Sequence, residues 1–121
     1  MVYFFPLVSP KFGLGHFARC NILQEYFKDS ALILQRKYKV YLDELNLNKN
    51  KIIIIDDIVD LLGILDSQSV IFLDILPDNY WDGVYDVFKV CKASKAITVA
   101  IDSMPPTSLS NLNLDAVFWP H

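Results

Sequence analysis

Short apolar runs alternate with amphipathic stretches along this chain, and turn-forming residues separate them. Apolar runs without regular polar positions are typical of strands that are buried on both faces of a parallel sheet. The predicted strands are 2–8, 31–34, 51–55, 70–74, 96–102 and 115–120. Apolar residues at helical spacing predict helices over 16–29, 58–65 and 80–93. The segment 35–50 is basic, then acidic, then rich in asparagine, and it suits a short strand or a short helix.

This alternation predicts an α/β fold with a doubly wound, Rossmann-like and mostly parallel sheet of about six strands. At 121 residues the chain is expected to form a single domain, residues 1–121, that is large enough to bury its own core. No internal repeat, low-complexity tract or Gly/Ser linker divides the sequence.

The most distinctive segment follows the first predicted strand and reads Gly13-Leu14-Gly15-His16-Phe17-Ala18-Arg19-Cys20. A strand that leads through a glycine turn into a helix is a common anion site. The glycines allow a tight turn, and the first N–H groups of the helix point at the ligand. His16 is predicted to lie at the mouth of this helix. A helix N-terminus favours the neutral imidazole, which is the form that a general base needs.

Carboxylates follow the ends of several predicted strands. Asp56, Asp74 and Asp102 each lie at the C-terminal end of one. In an open parallel sheet these ends share one edge, where ligands bind, so the carboxylates and the glycine segment are expected to converge there. Arg19, one helical turn after His16, would pair with an acidic neighbour or meet a phosphate. Asp74 and Asp102 are equally compatible with caps of loops, in which they accept backbone N–H groups.

Three other interpretations of the same residues stay open. The glycine pair suits a dinucleotide site only weakly, because the acidic ribose partner is replaced by Gln35-Arg36-Lys37. A tight strand-to-helix turn without any ligand is the second interpretation. The third is a flavodoxin-like or receiver domain, which would use the pair Asp56-Asp57 for a cofactor or Mg²⁺.

Composition narrows the classes of partner. The net charge of −3 without a basic cluster argues against nucleic-acid binding. The longest apolar runs are too short to span a bilayer, and no signal peptide is recognised, so a cytoplasmic location is expected. Cys20 and Cys91 are expected to be buried thiols in a reducing compartment. With His16 and His121 as the two imidazoles, no zinc site is expected, and no other metal or cofactor.

The segment from Gly13 to Cys20 resembles the opening loop of the nucleotide-sugar hydrolase of pseudaminic acid biosynthesis and of its spore-coat polysaccharide relatives. These are GT-B-fold proteins akin to the glycosyltransferase that makes lipid II. Their loop reads G-x-G-H-x-x-R-C, which this chain matches at every fixed position. The later order is similar as well: a strand ending in Asp74, an amphipathic helix, a strand ending in Ile101-Asp102, and Asp115-Ala116-Val117-Phe118-Trp119-Pro120 at the end.

The resemblance implies that this chain is the N-terminal half of a two-domain enzyme that transfers or hydrolyses the sugar of a UDP-sugar in surface polysaccharide or glycan biosynthesis. A C-terminal domain, in the same chain or in a partner subunit, would hold most nucleotide contacts. By the same resemblance His16 is the general base, and Gly13, Leu14 and Gly15 face the diphosphate. Arg19 would orient that loop or touch phosphate, and Asp74 and Asp102 would bond the acceptor or the loop.

The chain departs from this family at groups that would select the sugar. The family's R-x-D on the first strand corresponds to Phe5 and Leu7, and its I-D-D corresponds to Ile101-Asp102-Ser103. A non-enzymatic nucleotide-binding or partner-docking module therefore remains an alternative. In either case an N-terminal half without its second domain should expose an apolar rim, on the side that would face that domain. Its candidate residues are Phe12, Leu14, Phe17, Ile75, Leu76, Met104 and Trp119.

Overall fold

The computed structural model describes residues 1–6, 13–38, 51–74, 84–101 and 116–118. Within these ranges it describes the backbone alone for residues 13–18, 38, 84–86 and 116–118.

A parallel sheet forms the centre of the structure. Its body has five strands of four to six residues, and a sixth strand of three residues pairs along one edge. Most of their residues are apolar and many are β-branched, which suits a pleated, doubly buried surface. The strands are β1 (Val2–Pro6), β2 (Ser30–Gln35), β3 (Ile52–Ile55), β4 (Val70–Asp74), β5 (Ile97–Ile101) and β6 (Ala116–Phe118).

The strand order is β3-β2-β1-β4-β5-β6, and every neighbouring pair is parallel. The chain therefore builds outward from β1 in one direction and then crosses to the other side of β1 to continue with β4. This reversal leaves a switch point between β1 and β4, where a crevice opens at the carboxyl edge in doubly wound sheets. The register places Pro6, the last residue of β1, beside Asp74, the last residue of β4.

Helices cover both faces of the sheet. Helix α1 (Gly13–Gln24) follows β1 and packs Cys20 and Leu23 on the face that carries Phe4 and Leu32. Helix α2 (Val84–Ser94) follows β4 and packs against the opposite face. The 3₁₀ helix Ile58–Gly63 shares that opposite face.

The larger core lies under α2. It combines alternate residues of the strands with the inner side of the helix, and Leu61 closes it from the 3₁₀ helix. Its strand and helix members include Tyr3, Phe5, Ile33, Ile71, Leu73, Val87, Phe88 and Cys91. Burial of these side chains is the main contribution to the stability of this face.

The smaller core lies under α1 and contains a group of three aromatic rings. Phe4 stacks on Phe72 with ring centroids 5.1 Å apart, and Phe27 tilts against Phe4 at 5.5 Å. Near the end of α1 the buried Gln24 donates from Nε2 to the carbonyl of Lys51 at 2.9 Å, while Ser30 Oγ donates back to the carbonyl of Gln24 at 3.1 Å. These bonds fix the C-terminal end of α1 to the starts of β2 and β3.

The structure confirms the α/β class and the parallel sheet, and it is consistent with a Rossmann-like fold. The body of the sheet has five strands where about six were predicted, with the three-residue β6 added at the edge. The flavodoxin-like alternative does not match this strand order. That architecture places the third strand beside the first, whereas here β3 lies beyond β2 at the edge.

Several predicted boundaries were wrong by a few residues. Helix α1 covers Gly13–Gln24, where 16–29 was predicted. Helix α2 ends at Ser94, one residue after the predicted end at 93, and residues 80–83 of that prediction lie outside the described residues. The predicted helix 58–65 is a 3₁₀ helix over Ile58–Gly63. In the ambiguous segment 35–50, the described part contains a 3₁₀ helix over Arg36–Tyr38.

Candidate functional site

The N-terminus of α1 lies after the carboxyl end of β1. Gly13 and Gly15 are helical residues of its first turn, so the predicted glycine turn before the helix is wrong at these two positions. The described glycines include none with positive φ. Because the first N–H groups of a helix have no intrahelical acceptor, the amides of Gly13, Leu14 and Gly15 have no acceptor within α1 itself. The first turn contains no acidic residue that would offset the positive end of the helix dipole.

Asp74 lies at the end of β4, across the switch point from α1, and its side chain is 0% exposed. The guanidinium of Arg19 reaches it from α1. Arg19 Nε donates to Oδ2 at 2.8 Å and Nη2 donates to Oδ1 at 2.5 Å. This two-pronged pairing satisfies both carboxylate oxygens, and such pairs are among the strongest charge-assisted hydrogen bonds in proteins.

Arg19 links a buried group to the surface, because 34% of its side chain remains exposed to solvent. Helical side chains lean toward the N-terminus of their helix, so this side chain leans toward the first turn of α1. Of the two roles predicted for Arg19, the structure provides the acidic neighbour, and that neighbour is Asp74.

Cys20 completes the buried side of this group. Its Sγ lies 3.7 Å from Asp74 Oδ2, within reach of a weak S–H donor. Burial raises the pKa of the Cys20 thiol well above its ordinary value, and the neighbouring charge of Asp74 raises it further. The thiol therefore stays protonated at neutral pH and has the character of a packing group that also donates to the carboxylate, without the reactivity of a nucleophile.

The carboxylates that follow β3 are engaged in local contacts. Asp56 pairs with Arg36, and both side chains are well exposed, at 68% and 59%. Asp60 Oδ2 accepts the backbone N–H groups of Asp56 and Asp57 at 3.0 Å each, at the start of the 3₁₀ helix. Among the described residues no group of three or more His, Cys, Asp or Glu side chains is arranged to hold a metal ion.

Some predicted site residues lie outside the described residues. Asp102 is one of them, and the side chains of Leu14 and His16 are others, although their backbone belongs to the first turns of α1. The seven candidates for an exposed apolar rim, from Phe12 to Trp119, cannot be compared with the prediction either. The structure describes the backbone but not the side chain of Leu14 and Phe17, and the other five residues lie outside the described ranges. Within the described part the structure therefore brings together Arg19 and Asp74, and it places Gly13 and Gly15 in the first turn of the helix that carries Arg19.

A polar cavity of about 200 Å³ lies near the other end of α1, lined by Asn21, Gln24, Glu25 and Lys51. It borders the starts of β2 and β3, at the opposite edge of the sheet from the switch point. Across the described ranges no helix is long and apolar enough to cross a membrane.

The sequence did not indicate the bond between Arg19 and Asp74 specifically. The two residues are 55 positions apart in the sequence. The available signals were an arginine in a predicted helix and an aspartate at the end of a predicted strand, with nothing to show that the two side chains meet.

Comparison of the chain with protein-family models, with curated proteins and with solved structures finds no match.

Proposed function

We propose that this chain is the N-terminal domain of a GT-B-type protein that transfers or hydrolyses the sugar of a UDP-sugar in surface polysaccharide or glycan biosynthesis. The supporting observation is the strand order, which reverses at β1 and β4 and so directs the N-terminus of α1 toward a crevice at the carboxyl edge. The resemblance of the segment from Gly13 to Cys20 supplies the substrate class.

In this proposal the diphosphate of the nucleotide lies at the start of α1. The amides of Gly13, Leu14 and Gly15, which have no acceptor within the helix, would donate to its oxygens, and the positive end of the helix dipole would favour its charge. Arg19 would add a charged donor from the second turn. Because the first turn has no acidic residue, nothing on it repels an anion.

His16 is proposed as the general base that takes a proton from water or from an acceptor hydroxyl. A base must lie within hydrogen-bond reach of the proton that it removes, so this role requires the His16 side chain, on the fourth residue of α1, to extend past the diphosphate to the opposite face of the sugar. The activated oxygen then attacks the anomeric carbon from the side opposite the diphosphate, the bond from that carbon to the diphosphate breaks, UDP leaves, and the anomeric centre is inverted. A C-terminal domain in cis, or a partner subunit in trans, would supply the remaining contacts to the nucleotide. The unpaired thiols of Cys20 and Cys91 suit a reducing, cytoplasmic location.

A second candidate is a binding module without catalysis. It is favoured by the described carboxylates of the carboxyl edge, since Asp56 and Asp74 both bond to arginines and Asp60 caps a helix. Each of them therefore has a structural role that needs no reaction. Such a module would bind the same nucleotide and dock a partner without transferring or hydrolysing the sugar.

The first test is an NMR titration of the chain with UDP and with a UDP-sugar, following the amides of Gly13 to Phe17 and the ring of His16. Shifts confined to these signals support a diphosphate site at α1. The absence of shifts at millimolar ligand contradicts both candidates, and the start of α1 is then structural. Turnover of the UDP-sugar after addition of the missing domain separates the enzyme from the binding module.

A further inference from the structure

We propose that strand β3 is a self-association surface, at which a second copy of this chain pairs its own β3 antiparallel with the first and continues the sheet across a two-fold axis. Among the described strands β3 lies at one edge of the sheet and has β2 as its neighbour on one side. The backbone groups of an edge strand that point away from its neighbour form a template for another strand. This inference goes beyond the function proposed above and does not depend on it.

The composition of β3 suits pairing with another strand. Its four residues, Ile52–Ile55, are all isoleucine, a β-branched residue that favours strands. Natural edge strands commonly carry a lysine or a proline that prevents pairing, and β3 contains neither. Ile52, Ile53 and Ile54 are half-buried, whereas β1 and β2 each bury all of their residues but one. A partner strand would therefore cover apolar surface that the single chain leaves in contact with water.

The charges that flank β3 indicate which partner fits. Lys51 precedes the strand, Asp56 and Asp57 follow it, and all three side chains are exposed. The strand thus has a positive end and a negative end. A parallel pair of two copies would place like charges side by side, whereas an antiparallel pair brings the positive end of each copy to the negative end of the other. A two-fold axis perpendicular to the sheet produces this antiparallel pair and closes the assembly at two chains.

The backbone restricts the register of this pair. Alternate residues of a strand direct both N–H and C=O toward the same neighbour, so two identical antiparallel strands must be centred on one residue. Centring the pair on Ile54 includes the whole strand and places Lys51 opposite Asp57 of the second copy, whose backbone is extended. In the single chain the Lys51 ammonium makes an exposed contact of 3.4 Å with the carbonyl of Lys28. Opposite charges on directly paired residues stabilise a sheet, and the two-fold axis provides this ion pair twice.

Charge reversal at this pair tests the proposal. Sedimentation equilibrium measures association from micromolar to millimolar concentration, with a reductant present so that Cys20 and Cys91 stay free thiols. The wild type should change from a single chain of 13.9 kDa to twice that mass, with a Kd in the micromolar range. Lys51→Glu and Asp57→Lys each place two like-charged pairs in the interface and should each raise the Kd about tenfold. The double variant restores opposite charges and should bring the Kd back to within about threefold of the wild type.

The matched control is Lys89→Glu, which makes the same change of charge at an exposed position of α2 and should alter the Kd less than about twofold. A wild type that stays a single chain at millimolar concentration overturns the proposal. Equal effects of Lys51→Glu and Lys89→Glu also overturn it, because association would then depend on net charge and not on β3. A dimer that the folded double variant does not restore contradicts the pairing of Lys51 with Asp57. If a variant at Asp57 does not fold, the comparison of Lys51→Glu with Lys89→Glu decides.

Discussion

Arg19 and Asp74 join helix α1 to strand β4 across the point where the strand order reverses. The pair is asymmetric, because the carboxylate of Asp74 is completely buried while a third of the Arg19 side chain reaches solvent. Burial of a charge costs several kcal/mol, and the partner must offset that cost with well-directed hydrogen bonds. The two bonds at 2.8 and 2.5 Å meet this requirement. Arg19 therefore stabilises the buried charge of Asp74.

The first prediction concerns the loss of this partner. Arg19→Ala removes two charge-assisted hydrogen bonds from a buried carboxylate and should lower the free energy of unfolding by about 3 kcal/mol at neutral pH. Arg36→Ala breaks an exposed pair and should cost less than about 1 kcal/mol. Urea unfolding of both variants measures the difference. Equal losses in the two variants would show that the buried ion pair of Asp74 contributes no more to stability than the exposed pair of Asp56.

The strands of the sheet were predicted well because each is a short apolar run bounded by turn-forming residues, and such a run fits few other kinds of secondary structure. The strand 70–74 was predicted at its observed bounds, and Ile52–Ile55 within one residue. Buried thiols at Cys20 and Cys91 were also predicted and are confirmed. These features depend on local composition, since a run of β-branched and aromatic residues buried on both faces is typical of a central strand.

The start of α1 and the central ion pair could not be predicted in the same way. Gly13 and Gly15 have low helix propensity and are common in turns, so a turn was expected where the chain is helical. The contact of Arg19 with Asp74 depends on the order of the strands, which the pattern of apolar residues does not determine. It also depends on how helix α1 is rotated over the sheet.

The second prediction uses two adjacent leucines of the 3₁₀ helix. Leu61 is 0% exposed and closes the larger core, whereas Leu62 is 46% exposed. Leu61→Ala should lower the free energy of unfolding by about 2–5 kcal/mol, because it removes buried methyl groups and leaves a cavity. Leu62→Ala should cost less than about 1 kcal/mol. Thermal or urea unfolding of both variants measures the difference. A similar loss in both would contradict the orientation of this helix, in which Leu61 faces the core and Leu62 faces solvent.

The third prediction is a loss of stability at alkaline pH. Burial raises the pKa of Cys91 to about 12 in the folded state, although a hydrogen bond with Thr98 opposes the rise, and Cys20 shifts in the same direction. The unfolded chain therefore releases these protons at lower pH than the folded chain. The contribution of these thiols to stability should be constant well below pH 9 and fall as the pH rises above it, by up to about 1.4 kcal/mol per pH unit for each thiol.

Urea unfolding at pH 7, 9, 10 and 11 measures this slope, with Cys91→Ala as the control. That variant should lose one thiol's share of the slope, whatever its stability at pH 7. Tyr3, whose pKa burial also raises, contributes in the same direction above about pH 10 and is unchanged in the control. An identical slope in the wild type and in Cys91→Ala would show that this thiol ionises equally in the folded and unfolded chains.

The last prediction concerns catalysis by the chain alone. In the proposed function the second domain supplies the remaining contacts to the nucleotide as it departs, and such electrostatic stabilisation is usually the largest contribution to the rate. The chain should therefore bind UDP at α1 and yet release no sugar from a UDP-sugar. A coupled assay for free UDP, run with and without the second domain, measures this. Turnover by the chain alone, abolished in His16→Ala, would place the complete catalytic machinery within these 121 residues and contradict the division of labour between two domains.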